Sequence, residues 1–306
     1  MEVLRTPDSR FENLSGYTFE PHYVDDLRGY EGLRVHYVDE GFDGLEQTFL
    51  CLSGQPTWAY LYRHMIPFFV NSDARVVVPD WLGFGRSDKP IDDKIYSFNF
   101  HRDMILSFIE KLDLQNITLV VQDWGGIIGL TLPMDLPDRF SRLIVMNTTI
   151  PIGKSLGKGF QNWKEYAAHR PNIDCGALIK RACPHLSEAE AMSYEAPFPD
   201  QRYKAGVRRF PQLVMTEPNM CGITTAERAQ KFWQHEWKGQ SFMAIGAQDP
   251  VLGVPVMRRL REIIRGCSEP MVLQQAGHFV QEWGDQVAQA ALKYFSNSSR
   301  VHHERR

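Results

Sequence analysis

The stretch Val120-Val121-Gln122-Asp123-Trp124-Gly125-Gly126 carries the plainest chemical signal in the chain. A buried apolar run ends in a polar residue, two glycines follow, and Ile127-Ile128-Gly129-Leu130 then starts a helix. Such a strand–turn–helix presents one side chain at its apex, and the glycines relieve the crowding of so sharp a turn. The apex residue is Asp123, where an esterase or lipase carries Ser, and Val121 takes the place of the first Gly of the usual Gly-x-Ser-x-Gly pattern. A side chain so presented is a candidate nucleophile for covalent hydrolysis. In isolation the same residues fit an Asp capping a helix equally well.

A nucleophile of this kind needs partners in the chain order nucleophile, acid, His. His278, in Ala276-Gly277-His278-Phe279, alone among the ten histidines follows a late strand-like run and a Gly. It is the expected general base rather than a surface His. The acid that orients it should come off an earlier strand end, and Asp249 in Ala247-Gln248-Asp249-Pro250 meets that need. Asp249 also suits a helix cap before Pro250. The other place for an acid, the strand end at Asn147-Thr148, has no carboxylate. An oxyanion hole takes one backbone N–H from the residue after the nucleophile, here Trp124, and one from an early strand-end loop. In Leu52-Ser53-Gly54-Gln55-Pro56, Pro56 has no N–H to give, which leaves Gln55. A plain turn is the competing reading of that loop.

The elements that must hold these residues are legible as short apolar runs. They are Leu33–Val38, Thr48–Leu52, Arg75–Asp80, Ile117–Gln122, Leu143–Met146, Ser241–Gly246 and Pro270–Leu273. Runs apolar on both faces suit a parallel sheet covered on both sides. Helical periodicity lies between them, as in His101–Leu112, Val256–Ile264 and Gln286–Phe295. Strands alternating with helices predict an α/β fold with right-handed crossovers. The rhythm breaks after Pro151 and resumes after Thr224. Helical patches there alternate with Pro-rich turns, so residues 151–224 are expected to form a helical cap. Residues 1–150 and 225–306 then make the core domain.

Composition narrows the function classes. A length of 306 residues allows two domains or one large domain with an insertion. The net charge of −3 lacks the electrostatic footprint of a nucleic-acid binder. Five cysteines without a Cys-x-x-Cys pair suggest free thiols in a reducing cytoplasm. No signal peptide and no membrane span are visible in the sequence. Gly83-x-Gly85-x-x-Asp88 falls short of a dinucleotide fingerprint, and no metal-ligand cluster appears, so no cofactor is expected.

Taken together, these residues resemble the α/β-hydrolase fold, and within it the haloalkane dehalogenases with an Asp–His–Asp triad. The resemblance runs over nearly the whole chain. It rests on Ser53-Gly54-Gln55-Pro56-Thr57-Trp58, on Pro79-Asp80-Trp81-Leu82-Gly83-Phe84-Gly85-Arg86-Ser87-Asp88-Lys89-Pro90, on Val121–Gly126 and on Ala276–Phe279. Its most family-specific piece is the cap phrase Tyr194-Glu195-Ala196-Pro197-Phe198-Pro199-Asp200, with Arg208-Arg209-Phe210-Pro211 behind it. One departure is Ser53, where the family usually has His; another is Gln55, where it often has Glu or Asn.

The resemblance implies a mostly parallel central sheet flanked by helices, with the cap inserted late in the strand order. It implies hydrolytic dehalogenation of a haloalkane to a primary alcohol, halide and proton. A carboxylate is already nucleophilic at pH 7, so Asp123 displaces the halide and forms an alkyl ester. His278 then activates water to hydrolyse that ester while Asp249 orients the imidazole. The departing halide needs donors, and an indole N–H is a donor with no competing acceptor. By resemblance Trp124 supplies one and Trp163, the only Trp of the cap, the other. Phe160, Ile127, Phe210 and Pro211 would be pocket walls. The partners are then a small halogenated alkane, water and product halide, with no nucleic acid and no membrane.

Three other readings compete. An epoxide hydrolase shares the fold, the Asp nucleophile and the Asp-Trp-Gly-Gly turn, and needs cap tyrosines, for which Tyr166, Tyr194 and Tyr203 are available. A fluoroacetate-type dehalogenase would carry Arg where Trp124 stands. A catalytically silent binding protein of this fold would have no use for a complete triad.

Overall fold

A computed structural model describes residues 1–41 and 46–303. Its centre is one eight-stranded sheet of β1 (His22–Val24), β2 (Val35–Glu40), β3 (Thr48–Leu52), β4 (Arg75–Pro79), β5 (Ile117–Gln122), β6 (Phe140–Met146), β7 (Gln240–Gly246) and β8 (Met271–Leu273). Across the sheet the order is β8-β7-β6-β5-β3-β4-β2-β1. Strand β2 runs antiparallel to both β1 and β4, and the other pairings are parallel. The α/β-hydrolase architecture expected from the sequence is therefore present.

Every residue of β3 and β5 is buried. Their side chains alternate between two cores: Leu50, Leu52, Leu119 and Val121 enter one, while Phe49, Cys51 and Val120 enter the other. That period-two division explains why the strands read as continuous apolar runs. After β3 the chain steps to β4 on one side, and β5 then pairs on the other side of β3. Such a switch point leaves a crevice beyond the carboxyl ends of the two strands. Gln55 follows β3 and Asp123 follows β5, so topology alone brings them to that crevice.

Helices α1 (Ile66–Val70), α2 (Phe98–Lys111) and α3 (Trp124–Gly129) precede β6. Between β6 and β7 lie α4 (Lys158–Ala168), α5 (Cys175–Ala182), α6 (Glu188–Glu195), α7 (Ala205–Leu213) and α8 (Ile223–His235), with no strand among the described residues. The α6 start is fixed by a capping box, in which Ser187 accepts from the Glu190 backbone and the Glu190 carboxylate accepts from Ser187. Helix α8 begins at 223, so the expected boundary at 224 falls on its first turn. The helix returns to the sheet layer, where Trp233 Nε1 donates to Leu130 O at 2.6 Å. Helices α9 (Val254–Ile263) and α10 (Gly284–His303) complete the chain.

Two features differ from the sequence reading. Helix α10 outlasts its apolar pattern by eight residues, because Ser296 to His303 contains neither Gly nor Pro to stop it. Strand β1, and a separate pairing of Val3–Leu4 with Lys89–Pro90, are too short to show a period. The Gly83–Gly85 segment is a structural turn. Both glycines have positive φ, and a Cβ on Gly85 would sit 2.0 Å from Asp80 Oδ2. Asp80 in turn accepts from the backbone of Ala59 and Arg86, each at 2.8 Å.

Candidate active site

Asp123 stands between β5 and α3 with φ 50° and ψ −122°, in the left-handed region that a non-glycine residue rarely enters. The surrounding bonds hold it there. Its N–H donates to Asn147 O at 3.0 Å, and its carbonyl accepts from Ile127 N at 2.9 Å and Thr148 Oγ1 at 2.7 Å. The two glycines after it are obligatory for packing. A Cβ on Gly125 would lie 1.9 Å from Leu52 O, and one on Gly126 would lie 2.1 Å from Thr148 Oγ1.

The carboxylate is asymmetric. Oδ1 accepts the Gln55 backbone N–H at 2.8 Å, whereas Oδ2 faces His278 Nε2 at 3.5 Å. Gly54 makes this approach feasible, since a Cβ there would be 2.6 Å from Asp123 Cβ. Trp124, the other expected N–H donor, has no hydrogen bond to the carboxylate. The Gln55 side chain points away from the reaction centre and donates to Val207 O of α7 at 3.0 Å, tying the strand-end loop to the inserted helices.

His278 and Asp249 meet as the spacing anticipates. His278 Nδ1 lies 2.7 Å from Asp249 Oδ2. The same oxygen accepts from Asn147 Nδ2 at 2.9 Å, and Oδ1 accepts the backbone N–H groups of Val251 and Leu252 at 2.8 and 3.0 Å. Burial alone would raise the Asp249 pKa. The adjacent His278 ring and these donors outweigh it and hold the group well below the usual carboxylate range. Burial likewise opposes a charged His278, but Asp249 and then Asp123 push its pKa up to about 10. Asn147, considered from the sequence as a strand end without a carboxylate, thus serves the acid as a donor.

These groups open onto a cavity of about 280 Å³. Trp124, Trp163, Phe160, Ile127, Pro211 and Phe279 are among its walls. Phe210 is a correction, because it is fully buried and does not line the cavity. Neighbouring helical residues point about 100° apart, so Pro211 takes the cavity side and Phe210 the core side. There its ring stands 4.6 Å from that of Trp124 and 4.7 Å from that of His101. The indoles divide in the same way. Trp58, Trp81, Trp233 and Trp237 donate Nε1 to Ser193 O, Ser53 O, Leu130 O and Ser241 Oγ. Among the described residues, Trp124, Trp163 and Trp283 have no protein acceptor for theirs, and of these Trp124 and Trp163 line the cavity.

Among the described residues, no tyrosine lines the cavity. Tyr194 is buried with its hydroxyl bonded to Glu282, and Tyr166 stacks on the Trp163 ring at 5.8 Å. Ser53 is fully buried with an unpartnered hydroxyl and stands outside the cavity walls. Sequence reasoning gave no role to Gln122 beyond ending a strand. Its carboxamide Nε2 lies 2.9 Å from His278 Nε2. The available signal was a polar carboxamide closing a strand whose preceding residues, Leu119 to Val121, are apolar.

Comparison with known proteins agrees with this geometry. The model of the alpha/beta hydrolase fold family matches residues 47–285. A haloalkane dehalogenase of Psychrobacter cryohalolentis is 41% identical over 98% of this chain and 100% of its own length. The chain belongs to the haloalkane dehalogenase family. A second such relative, from Mycolicibacterium paratuberculosis, is 40% identical over 96% of this chain and 98% of its own. Among solved structures, the tetrameric haloalkane dehalogenase DpaA from Paraglaciecola agarilytica NO2 superposes with a TM-score of 0.94 at 50% identity, covering 96% of this chain and 98% of that one. The haloalkane dehalogenase membership expected from the sequence thus holds over almost the full length.

Proposed function

We propose that this enzyme hydrolyses haloalkanes to an alcohol, halide and proton through an alkyl ester on Asp123. The observation that carries the reading is the meeting of Asp123, His278 and two acceptor-free indoles in one mostly apolar cavity. Asp123 Oδ1 is already engaged by Gln55 N–H, so Oδ2 is the attacking oxygen. It forms a bond to the halogen-bearing carbon as the carbon–halogen bond breaks, and the halide leaves with the bonding pair toward Trp124 and Trp163. The indoles supply N–H donors while their apolar bodies exclude water.

In the second step water attacks the ester carbonyl carbon and His278 Nε2 takes its proton. Oδ1 becomes the oxyanion, held by the N–H of Gln55, with Trp124 N–H as the second donor. Collapse releases the alcohol and restores the carboxylate, and the imidazolium, steadied by Asp249, returns its proton to solvent. Residues 151–224 act as the cap that closes the cavity, with Phe160 and Pro211 in its inner surface. A primary haloalkane suits the first step because backside attack needs an unhindered carbon. Among the described residues the cavity wall holds no tyrosine hydroxyl, which weighs against epoxide opening, a reaction that needs an acid at the leaving oxygen.

Incubation with 1,2-dibromoethane and with styrene oxide separates the two chemistries. Bromide release without diol formation is expected, and diol formation alone refutes the proposal. In His278→Ala, one equivalent of bromide per site followed by arrest, with the alkyl adduct on Asp123 visible by mass, is the expected result. Free turnover in that variant would remove His278 from water activation.

A further inference from the structure

Gln122 closes β5 immediately before the nucleophile, and its side chain is fully buried. Its carboxamide nitrogen lies 2.9 Å from His278 Nε2 and 3.1 Å from His278 O. The second contact fixes which end of the amide faces the histidine, because a carbonyl oxygen accepts only from N–H. The other end agrees: Gln281 Nε2 donates to Gln122 Oε1 at 3.5 Å. Gly54 leaves the room, since a Cβ there would be 2.6 Å from Gln122 Oε1. An N–H of Gln122 therefore points at the nitrogen that must carry a lone pair to act as base.

We propose that Gln122 is a positioning residue that biases His278 toward the neutral form, with Nδ1–H toward Asp249 and the Nε2 lone pair on the Gln122 N–H. The proposal rests on His278 being the base of the ester-hydrolysis step. Protonation at Nε2 breaks the Gln122 bond and sets two N–H groups face to face. Gln122 thus opposes the two charged groups that face the ring, Asp123 after β5 and Asp249 after β7, both of which favour imidazolium. Two further side chains against it, Gln122 and Phe279, carry no charge. With Gln122 in place the ring gives up its proton more readily after each turnover.

Two variants, read by kinetics and by nitrogen shifts, test this. Gln122→Met removes the donor at similar volume, and Gln122→Glu replaces it with an acceptor that favours imidazolium. The acid limb of ester hydrolysis, followed after the halide burst, is expected to move to higher pH by about one unit in Gln122→Met. It is expected to move further in Gln122→Glu. In histidine-15N-labelled enzyme, the pH at which Nε2 of His278 loses its proton is expected to rise by a similar amount in Gln122→Met over the unaltered enzyme. A normal burst with an unmoved acid limb, or an Nε2 titration that Gln122→Met leaves in place, overturns the proposal. Loss of the burst in the unaltered enzyme would instead refute the ester mechanism. The nitrogen titration reads the ring directly, so it decides for or against Gln122 independently of turnover.

Discussion

His101 is fully buried on α2, and neither ring nitrogen has a hydrogen-bond partner. It sits among aromatic rings, stacked on Tyr96 at 5.8 Å and edge-on to Trp81 at 5.7 Å. Burial alone pushes its pKa down to about 3. In the unfolded chain the same ring titrates near 6.5, so below that pH the unfolded state binds a proton that the folded state refuses. Stability must therefore fall as pH falls from about 6.5 toward 3, at roughly 1.36 kcal/mol per unit. At pH 5 the loss is about 2 kcal/mol by that slope. An unfolding entropy of roughly 2.1 cal/mol/K per residue over 306 residues converts this to about 3 °C in Tm. His101→Phe keeps the aromatic packing and abolishes the titration. Calorimetric Tm of the two proteins should be compared at pH 8 and pH 5, where every other titrating group cancels in the difference. The variant is expected to gain about 3 °C on the unaltered protein between those pH values. A difference that stays constant with pH would show that His101 is protonated or solvated in the folded state.

Trp163→Phe, which keeps the ring and deletes the N–H, should weaken halide binding about 10- to 100-fold, read by quenching of intrinsic fluorescence. Unchanged quenching would place the halide elsewhere. Asp249→Asn should slow ester hydrolysis far more than the halide burst, because Asp123 attacks unaided; equal slowing of both steps would contradict that division. Arg63→Met leaves the buried carboxylate of Glu282, which it meets at 2.8 Å, without its cation. A loss of about 3–5 kcal/mol in denaturant unfolding is expected, and a loss under 1 kcal/mol would show the pair to be dispensable.

The sequence made the candidate triad legible because each member follows a strand whose apolar run is continuous. The order of Asp123, Asp249 and His278 could thus be read without knowing the sheet. Residues whose roles depend on side-chain direction were out of reach. Phe210 and Pro211 are neighbours of the same chemical class, and only the rotation of α7 decides that one lines the cavity and the other backs Trp124. Asn147 was weighed as a place for a carboxylate. Its function as a donor to Asp249 emerges only when β6 and β7 are side by side, a contact across 102 residues of chain. Gln122 and His278 lie 156 residues apart, and no local pattern joins them. Strand β1 went unread because three residues cannot display an alternation.

The charge arrangement around His278 gives the proposed two steps their order. While Asp123 is ionised it stands 3.5 Å from Nε2 and favours a charged ring, which could not accept a proton from water. Alkylation turns Asp123 into a neutral ester. One of the two anions that raise the His278 pKa then disappears, and burial, which disfavours the cation, is less opposed. The ring therefore becomes a competent base when there is an ester to hydrolyse. Asp249 cannot be dismissed in the same way, because it must still stabilise the imidazolium formed as water is deprotonated. A fixed acid and a nucleophile that loses its charge make the base's strength follow the state of the substrate, and Gln122 biases the same balance toward the neutral ring.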